Sequence, residues 1–226
     1  MLLLKDLKPF AQGGNRLCFV HPENPELCIK VRRPDFTLAD RRRKKGFPKN
    51  LRPLKSFDDN REEFLVMNKL ERFSGLEVFD HISRCFGFVD TDMGKGLVSE
   101  LIRDENRSIS ETLKKCIWDD GLTQDLENAI EILCQFWLQK KVPSRDLLLH
   151  NVVVQKNRDG IVRLVVIDGL GTAGVIPFRL MPNRVKICKI QKKVDNIHQR
   201  VQLLLSQRGE SDFPGYHGLL IHNDSP

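Results

Sequence analysis

No run of about 18 apolar residues occurs in the sequence, so it offers no helix able to span a bilayer. The longest mostly apolar stretch, Ile161 to Leu180, is interrupted by Arg163, Asp168 and Arg179. The start, Met1-Leu2-Leu3-Leu4-Lys5, has too few apolar residues before its lysine to form the core of an export signal. The six cysteines (Cys18, Cys28, Cys85, Cys116, Cys134 and Cys188) contain no Cys-x-x-Cys pair and no Cys/His cluster at zinc spacing. That argues against a zinc module or a disulfide scaffold, and reduced thiols in the cytoplasm are the expectation. Aromatic residues are scarce at 7%. No helix-turn-helix or RNA-recognition motif compensates for them, which counts against nucleic-acid binding. There is no internal repeat.

What the chain does have is a localised excess of positive charge. Its 226 residues hold 37 Lys and Arg against 30 Asp and Glu, a formal charge of +7. Nearly all of the excess sits between residues 31 and 56, where the acids are only Asp35 and Asp40 and the bases include the run Arg41-Arg42-Arg43-Lys44-Lys45. The rest of the chain is close to neutral. This segment therefore reads as a basic insertion, residues 32–56, with 41–45 an anion or acidic-partner site rather than part of a nucleic-acid surface. With 40% hydrophobic and 30% charged residues, the composition is that of a globular chain in one unit or two small lobes.

Patterning predicts a mixed fold. Leu17 to Val20 and Leu27 to Val31 are β-prone runs joined by the turn-rich His21 to Glu26. The basic segment shows no regular period. A helix capped by Ser56 or Asp58 follows, with Phe64, Met67, Leu70 and Phe73 on one face. Ile82 to Val89 and Gly96 to Ile102 read as strands. Ser108 to Glu111 resembles a capping box. A helix runs from Thr123 to Lys140, and strands at Asn151 to Gln155 and Ile161 to Ile167 are joined by Asp159-Gly160. In the last helix, Arg184 to Ser206, Ile187, Ile190, Val194, Ile197, Val201 and Leu204 form an apolar seam that should pack on the same chain. The tail after Gln207 carries no pattern and is expected to be loose.

Four features carry chemistry. Asp146 and Asn151 lie five residues apart between a helix and a strand, a spacing that lets a carboxylate take the proton of an attacking hydroxyl while an amide oxygen ligates a metal. Asp168 ends an apolar strand and precedes Gly169, which projects a hard oxygen ligand suited to Mg²⁺ and phosphate. Lys30, flanked by Ile29 and Val31, points to the opposite sheet face from both and needs an anion if that face is covered. Glu63 on the following helix is the candidate, with Glu62 as the alternative. The turn Gln12-Gly13-Gly14-Asn15-Arg16 exposes backbone N–H groups and adds a guanidinium that could meet phosphate. It is neither G-x-G-x-x-G nor a G-K-[ST] loop.

Together, the glycine turn, strand lysine, helix glutamate, Asp-x-x-x-x-Asn, hairpin and Asp-Gly follow the element order of the protein-kinase fold. In more detail, Ala11 to Glu23 with Leu27-Cys28-Ile29-Lys30, and Val165 to Gly171 through Ile176-Pro177 into the basic last helix, resemble the bacterial YrbL family of PhoP regulatory network proteins. The resemblance implies an α+β, bilobal protein-kinase-like fold with a reduced C-terminal lobe. Residues 1–102 would form the N-terminal lobe and residues 103–226 the C-terminal one. It implies ATP and Mg²⁺ as ligands, with an unidentified phosphate acceptor or regulatory protein as partner. It also implies Lys30 and Glu63 as the phosphate-holding pair, Asp146 as the base, and Asn151 and Asp168 as metal ligands. Gly13, Gly14, Arg16 and Glu100 would contribute to nucleotide binding, Glu100 at the hinge where adenine docks. Three departures from kinase pattern stand out: Arg16 where glycine is usual, Ser144-Arg145-Asp146 in place of His-Arg-Asp, and no Ala-Pro-Glu motif after Asp168.

Overall fold

The computed structural model describes residues 1–44, 46–47, 49–51, 53–171, 178–210 and 212–223. Lys45 of the basic run and Ile176-Pro177 fall outside the described residues. The chain divides into two units, one made of Met1–Lys69, Arg84–Leu101 and 220–223, the other of Leu70–Ser83 and Ile102–Leu219.

In the first unit the β-prone runs pair as a five-stranded antiparallel sheet: β1 (Ala11–Gln12), β2 (Arg16–His21), β3 (Asn24–Arg32), β4 (Cys85–Thr91) and β5 (Gly94–Glu100), in the order β1-β2-β3-β5-β4. The β2–β3 turn is tighter than the sequence suggested, because His21 already pairs with Asn24. The register then slips between Val20 and His21, which leaves Pro25, lacking an N–H, outside the β2 ladder. One sheet face buries Phe19, Ile29 and Val31 with Leu4 from the N-terminal segment. That segment is tied down where Leu2 donates to the Asp90 carbonyl at 2.9 Å and Leu4 donates to the Asp92 carboxylate at 2.7 Å. A Cβ at Gly96 would lie 2.5 Å from Ile29 Cγ2, so β5 needs glycine there to close over β3.

The basic segment is more ordered than its lack of period implied. It contains a helix, α1 (Leu38–Lys44), and 3₁₀ turns at Lys49–Leu51 and Leu54–Phe57. The cause is local: the Thr37 hydroxyl accepts from the Asp40 N–H at 3.2 Å, and Asp40 accepts from the Thr37 N–H at 3.0 Å. This reciprocal cap starts the helix ahead of its run of arginines. Helix α2 (Asp59–Ser74) follows, and its first turn is capped by Asp58, which accepts from Asn60 and Arg61. Met67 and Leu70 are buried as expected, but Phe73 is 64% exposed.

The second unit consists of α3 (Leu113–Asp120), α4 (Gln124–Lys140), a hairpin of β6 (Val152–Asn157) and β7 (Gly160–Val166), and the long α5 (Asn183–Gln207). Thr123 caps α4 at the predicted position. The cap of α3 is Thr112, not Ser108. Ser108 instead closes a turn in which its carbonyl accepts from Asp104. Ile190, Val194, Ile197, Val201 and Leu204 bury the α5 seam against α3 and α4, while Ile187 stays exposed. The segment after Gln207 packs rather than hanging free: Phe213 meets the Trp118 ring edge-on at 5.7 Å, and Thr112 donates its hydroxyl to the Gly218 carbonyl at 2.7 Å. No described helix is long and apolar enough to cross a membrane.

Candidate functional site

The antiparallel pairing of β3 puts Ile29 and Val31 into the apolar core and turns Lys30 to the other face. There it is 6% exposed, and its ammonium lies 2.6 Å from Glu63 Oε1 on α2. The second carboxylate oxygen, Oε2, accepts from the Arg16 guanidinium at 2.5 Å. Asn60, one helical turn before Glu63, joins the group from both ends: its carbonyl oxygen accepts from Arg16 at 3.1 Å, and its amide donates to the Lys30 carbonyl at 2.7 Å. One buried carboxylate thus serves two buried cations. Burial, the largest single influence, favours the neutral amine at Lys30, and the Glu63 carboxylate is the chief influence against it; the lysine stands above its usual pKa and keeps its charge.

Thiols line the same region. Cys85 Sγ lies 3.8 Å from Glu63 Oε1 and 3.4 Å from Ser99 Oγ. Burial first, then the nearby Glu63 charge, pushes the Cys85 thiol up to about 11, and burial pushes Cys28 up to about 12. Both stay protonated and unreactive at neutral pH.

In the second unit, two loops are laced together. Arg145 N–H donates to the Gly169 carbonyl at 2.8 Å, Gly171 N–H to Pro143 at 2.8 Å, and Ile167 N–H to Asn151 at 2.9 Å. This ladder brings the Asp146 to Asn151 loop against the Asp168-Gly169 turn. Gly169 has φ +86°, and a Cβ there would meet the Asp146 carbonyl at 2.9 Å and Asn151 Nδ2 at 3.2 Å, so both conformation and space require glycine. Asp146, Asn151 and Asp168 are all partly exposed, and all offer oxygens, the donor type that Mg²⁺ prefers.

The structure adds a partner that sequence spacing could not show. Arg200, on α5, holds Asp146 bidentately, with Nη1 to Oδ1 at 3.0 Å and Nη2 to Oδ2 at 2.5 Å. Beside this pair the His150 ring stacks on His217 with centroids 5.3 Å apart. Burial and the neighbouring His217 lower His150 to about 4, so it is neutral and lends Asp146 no charge. Arg200 and Asp168 also act electrostatically on His150, which places all three in one neighbourhood.

The remaining expected residues fall as follows. Gly13 donates to the Arg16 carbonyl at 2.9 Å in a tight turn, and space is open around the Gly14 Cα. Arg16 does not project from that turn toward solvent, because its guanidinium is turned inward to Glu63 and Asn60. Glu100 ends β5; its N–H donates to the Arg84 carbonyl at 2.8 Å and its carboxylate accepts from Arg84 N–H at 3.0 Å, so its backbone donor belongs to the sheet. Glu62 lies in the first turn of α2, and it is Glu63 that pairs with Lys30 at 2.6 Å. In the basic run, Arg41 pairs with Asp59, while Arg42, Arg43 and Lys44 are exposed.

The chain is similar to known proteins. A protein from Escherichia coli (strain K12) described as "Uncharacterized protein YrbL" is 26% identical over 181 residues, covering 78% of this chain and 77% of its own. The YrbL of Shigella flexneri matches to the same extent. Among solved structures, Rad53 1-466 in complex with AMP-PNP matches with a TM-score of 0.45 and 15% identity, over 92% of this chain; this chain spans 48% of that one. The family model described as PhoP regulatory network protein YrbL matches residues 2–202, nearly the full length, and the chain accordingly belongs to that family.

Proposed function

We propose that the chain is a kinase-like, ATP- and Mg²⁺-dependent phosphotransferase of reduced size. The observation that carries this reading is the buried Lys30–Glu63 pair at 2.6 Å. A strand lysine kept charged by a helix glutamate is the device by which kinase-type folds hold the α and β phosphates. The order of elements supports it, from the glycine turn through β3 and α2 to the Asp146 loop, the β6–β7 hairpin and Asp168.

In this reading Asp146 accepts the proton of the acceptor hydroxyl. The hydroxyl oxygen then bonds to the γ-phosphorus, and the bond to the β–γ bridging oxygen breaks to release ADP. Asn151 and Asp168 would hold Mg²⁺, which when bound neutralises phosphate charge. The donor set fits that ion, being hard oxygens gathered around a glycine whose missing Cβ lets the Asp146 and Asn151 loop come close. The Lys30 ammonium and the Gly13-Gly14 turn bind and orient phosphate oxygens.

A second reading has its own observation. Both oxygens of Asp146 are taken by Arg200, an arrangement that suits a nucleotide-sensing regulatory module as well as a resting enzyme. Thermal melting with ATP and Mg²⁺ tests the shared premise: ligand at 100 times its Kd adds about 2.7 kcal/mol of stability. No shift at millimolar ATP would remove both readings. Single-turnover transfer of γ-phosphate separates them. The catalytic reading expects Asp146→Asn to lower the rate about 10²–10⁴-fold; equal rates would remove the role given to Asp146, and no transfer by a wild-type chain that binds ATP would leave the sensing module.

A further inference from the structure

Helix α5 buries its seam through Ile190, Val194, Ile197 and Val201. Immediately beside that seam runs a second stripe, Lys186, Lys189, Lys193 and Arg200, at spacings of three, four and seven residues that keep them on one face. Lys189 is exposed and the other three are half-exposed. Among the described residues Lys189 and Lys193 have no carboxylate partner. The only acid on the helix, Asp195, lies on another face and accepts from Gln191 at 2.9 Å. The stripe ends on chemistry, because its last member is the arginine that grips Asp146.

We propose that this cationic ridge is the docking track for an acidic protein segment carrying the acceptor hydroxyl, and that Arg200 is its terminal anchor. The Arg200–Asp146 pair is about 30% exposed on each side. A pair that wet gains little from its own attraction, so an incoming carboxylate can exchange for Asp146 on the guanidinium. The exchange frees Asp146 at the moment the acidic segment is seated. At about 1.5 Å of rise per residue the ridge is about 21 Å long, a span that an extended peptide of about seven residues covers. The stripe favours an acidic peptide over a nucleic acid because α5 holds no Phe, Tyr or Trp to stack a base, and its His198 lies on another face. Naming the bound segment as acceptor rests on the phosphotransfer reading; the ridge as an acidic-segment surface does not.

The test is fluorescence anisotropy of a labelled seven-residue peptide of Glu and Asp around one Ser, titrated with the full chain at low salt. An otherwise identical Gln/Asn peptide and a single-stranded RNA of equal charge serve as comparisons. The acidic peptide should bind and the neutral one should not. Lys189→Glu with Lys193→Glu should weaken binding about tenfold or more, and Arg200→Gln should weaken it as well. Arg184→Glu, on a different face of the same helix, should change it by less than about threefold. Equal binding of the neutral peptide, tighter binding of the RNA, or equal loss from Arg184→Glu overturns the proposal. If ATP produces no melting shift but peptide binding follows the ridge, the phosphotransfer reading fails while the docking surface stands. If ATP shifts the melt and ridge reversal has no effect, this inference alone fails.

Discussion

Glu63 and Asp146 are each gripped by an arginine at 2.5 Å, yet the two pairs live in different solvents. Glu63 is 5% exposed, shares its charge between Arg16 and Lys30, and has both oxygens engaged. Asp146 is 28% exposed, and Arg200 meets it from the surface of a helix. The same chemical contact is therefore a fixture in the first unit and an exchangeable latch in the second. Removing one partner from a buried cluster strands uncompensated charge, whereas water replaces the partner of a wet one.

That contrast can be tested by substitution. Glu63→Gln should have the largest effect, a loss of about 3–5 kcal/mol in urea unfolding, because two buried cations lose the carboxylate they share. A loss below about 1 kcal/mol would mean that water reaches the cluster. Gly169→Ala comes next. The positive φ and the approach to the Asp146 carbonyl should cost about 1–3 kcal/mol and disturb the loop that presents Asp146. An unchanged melting temperature would show that the latch loop tolerates rearrangement.

The pH dependence should be smaller. His150 is lowered to about 4, and His81 is also lowered, in both cases chiefly by burial. Unfolded histidine titrates near pH 6.5, so between there and about pH 4 the unfolded chain takes up protons that the folded one refuses. Stability should therefore fall as pH drops through that window and level off beneath it. The His150 contribution should be about 1–2 kcal/mol, less than full linkage because the ring is partly exposed. His150→Asn should flatten that stretch of the profile, and a profile identical to wild type would contradict it. Arg200→Gln should do least, changing unfolding free energy by under about 1 kcal/mol. A loss approaching that of Glu63→Gln would erase the distinction between fixture and latch.

The parts of the site readable from sequence are those set by local alternation and spacing. Lys30 could be placed because β-strand period sends it away from Ile29 and Val31, and Glu63 because the next helix must supply an anion. Asp146, Asn151 and Asp168 are tied to a hairpin whose Asp159-Gly160 turn is plain in the sequence. What escaped depends on long-range geometry or on small anchors. Arg200 is one cation among many on a basic helix, and only the packing of α5 aims it at Asp146, 54 residues away. Arg16 looks like a phosphate ligand until the fold turns it toward Glu63. Helix α1 was hidden because a charged run masks the Thr37–Asp40 cap, and the tail's anchors, Phe213 and Gly218, follow no period.

The closing residues of the described chain carry one more consequence. Ile221 N–H donates to the Phe10 carbonyl at 2.7 Å, and His222 Nε2 lies 3.0 Å from the Lys8 carbonyl across a sequence separation of 214. The unit that holds Lys8 and Phe10 is thus completed by Ile221 and His222, far along the chain. Its sheet and α2 can assemble early, but the β1 end waits for a loop closure costing on the order of 5 kcal/mol in chain entropy. A nascent chain stalled before residue 220 would hold the Lys30–Glu63 cluster while its first edge stayed open.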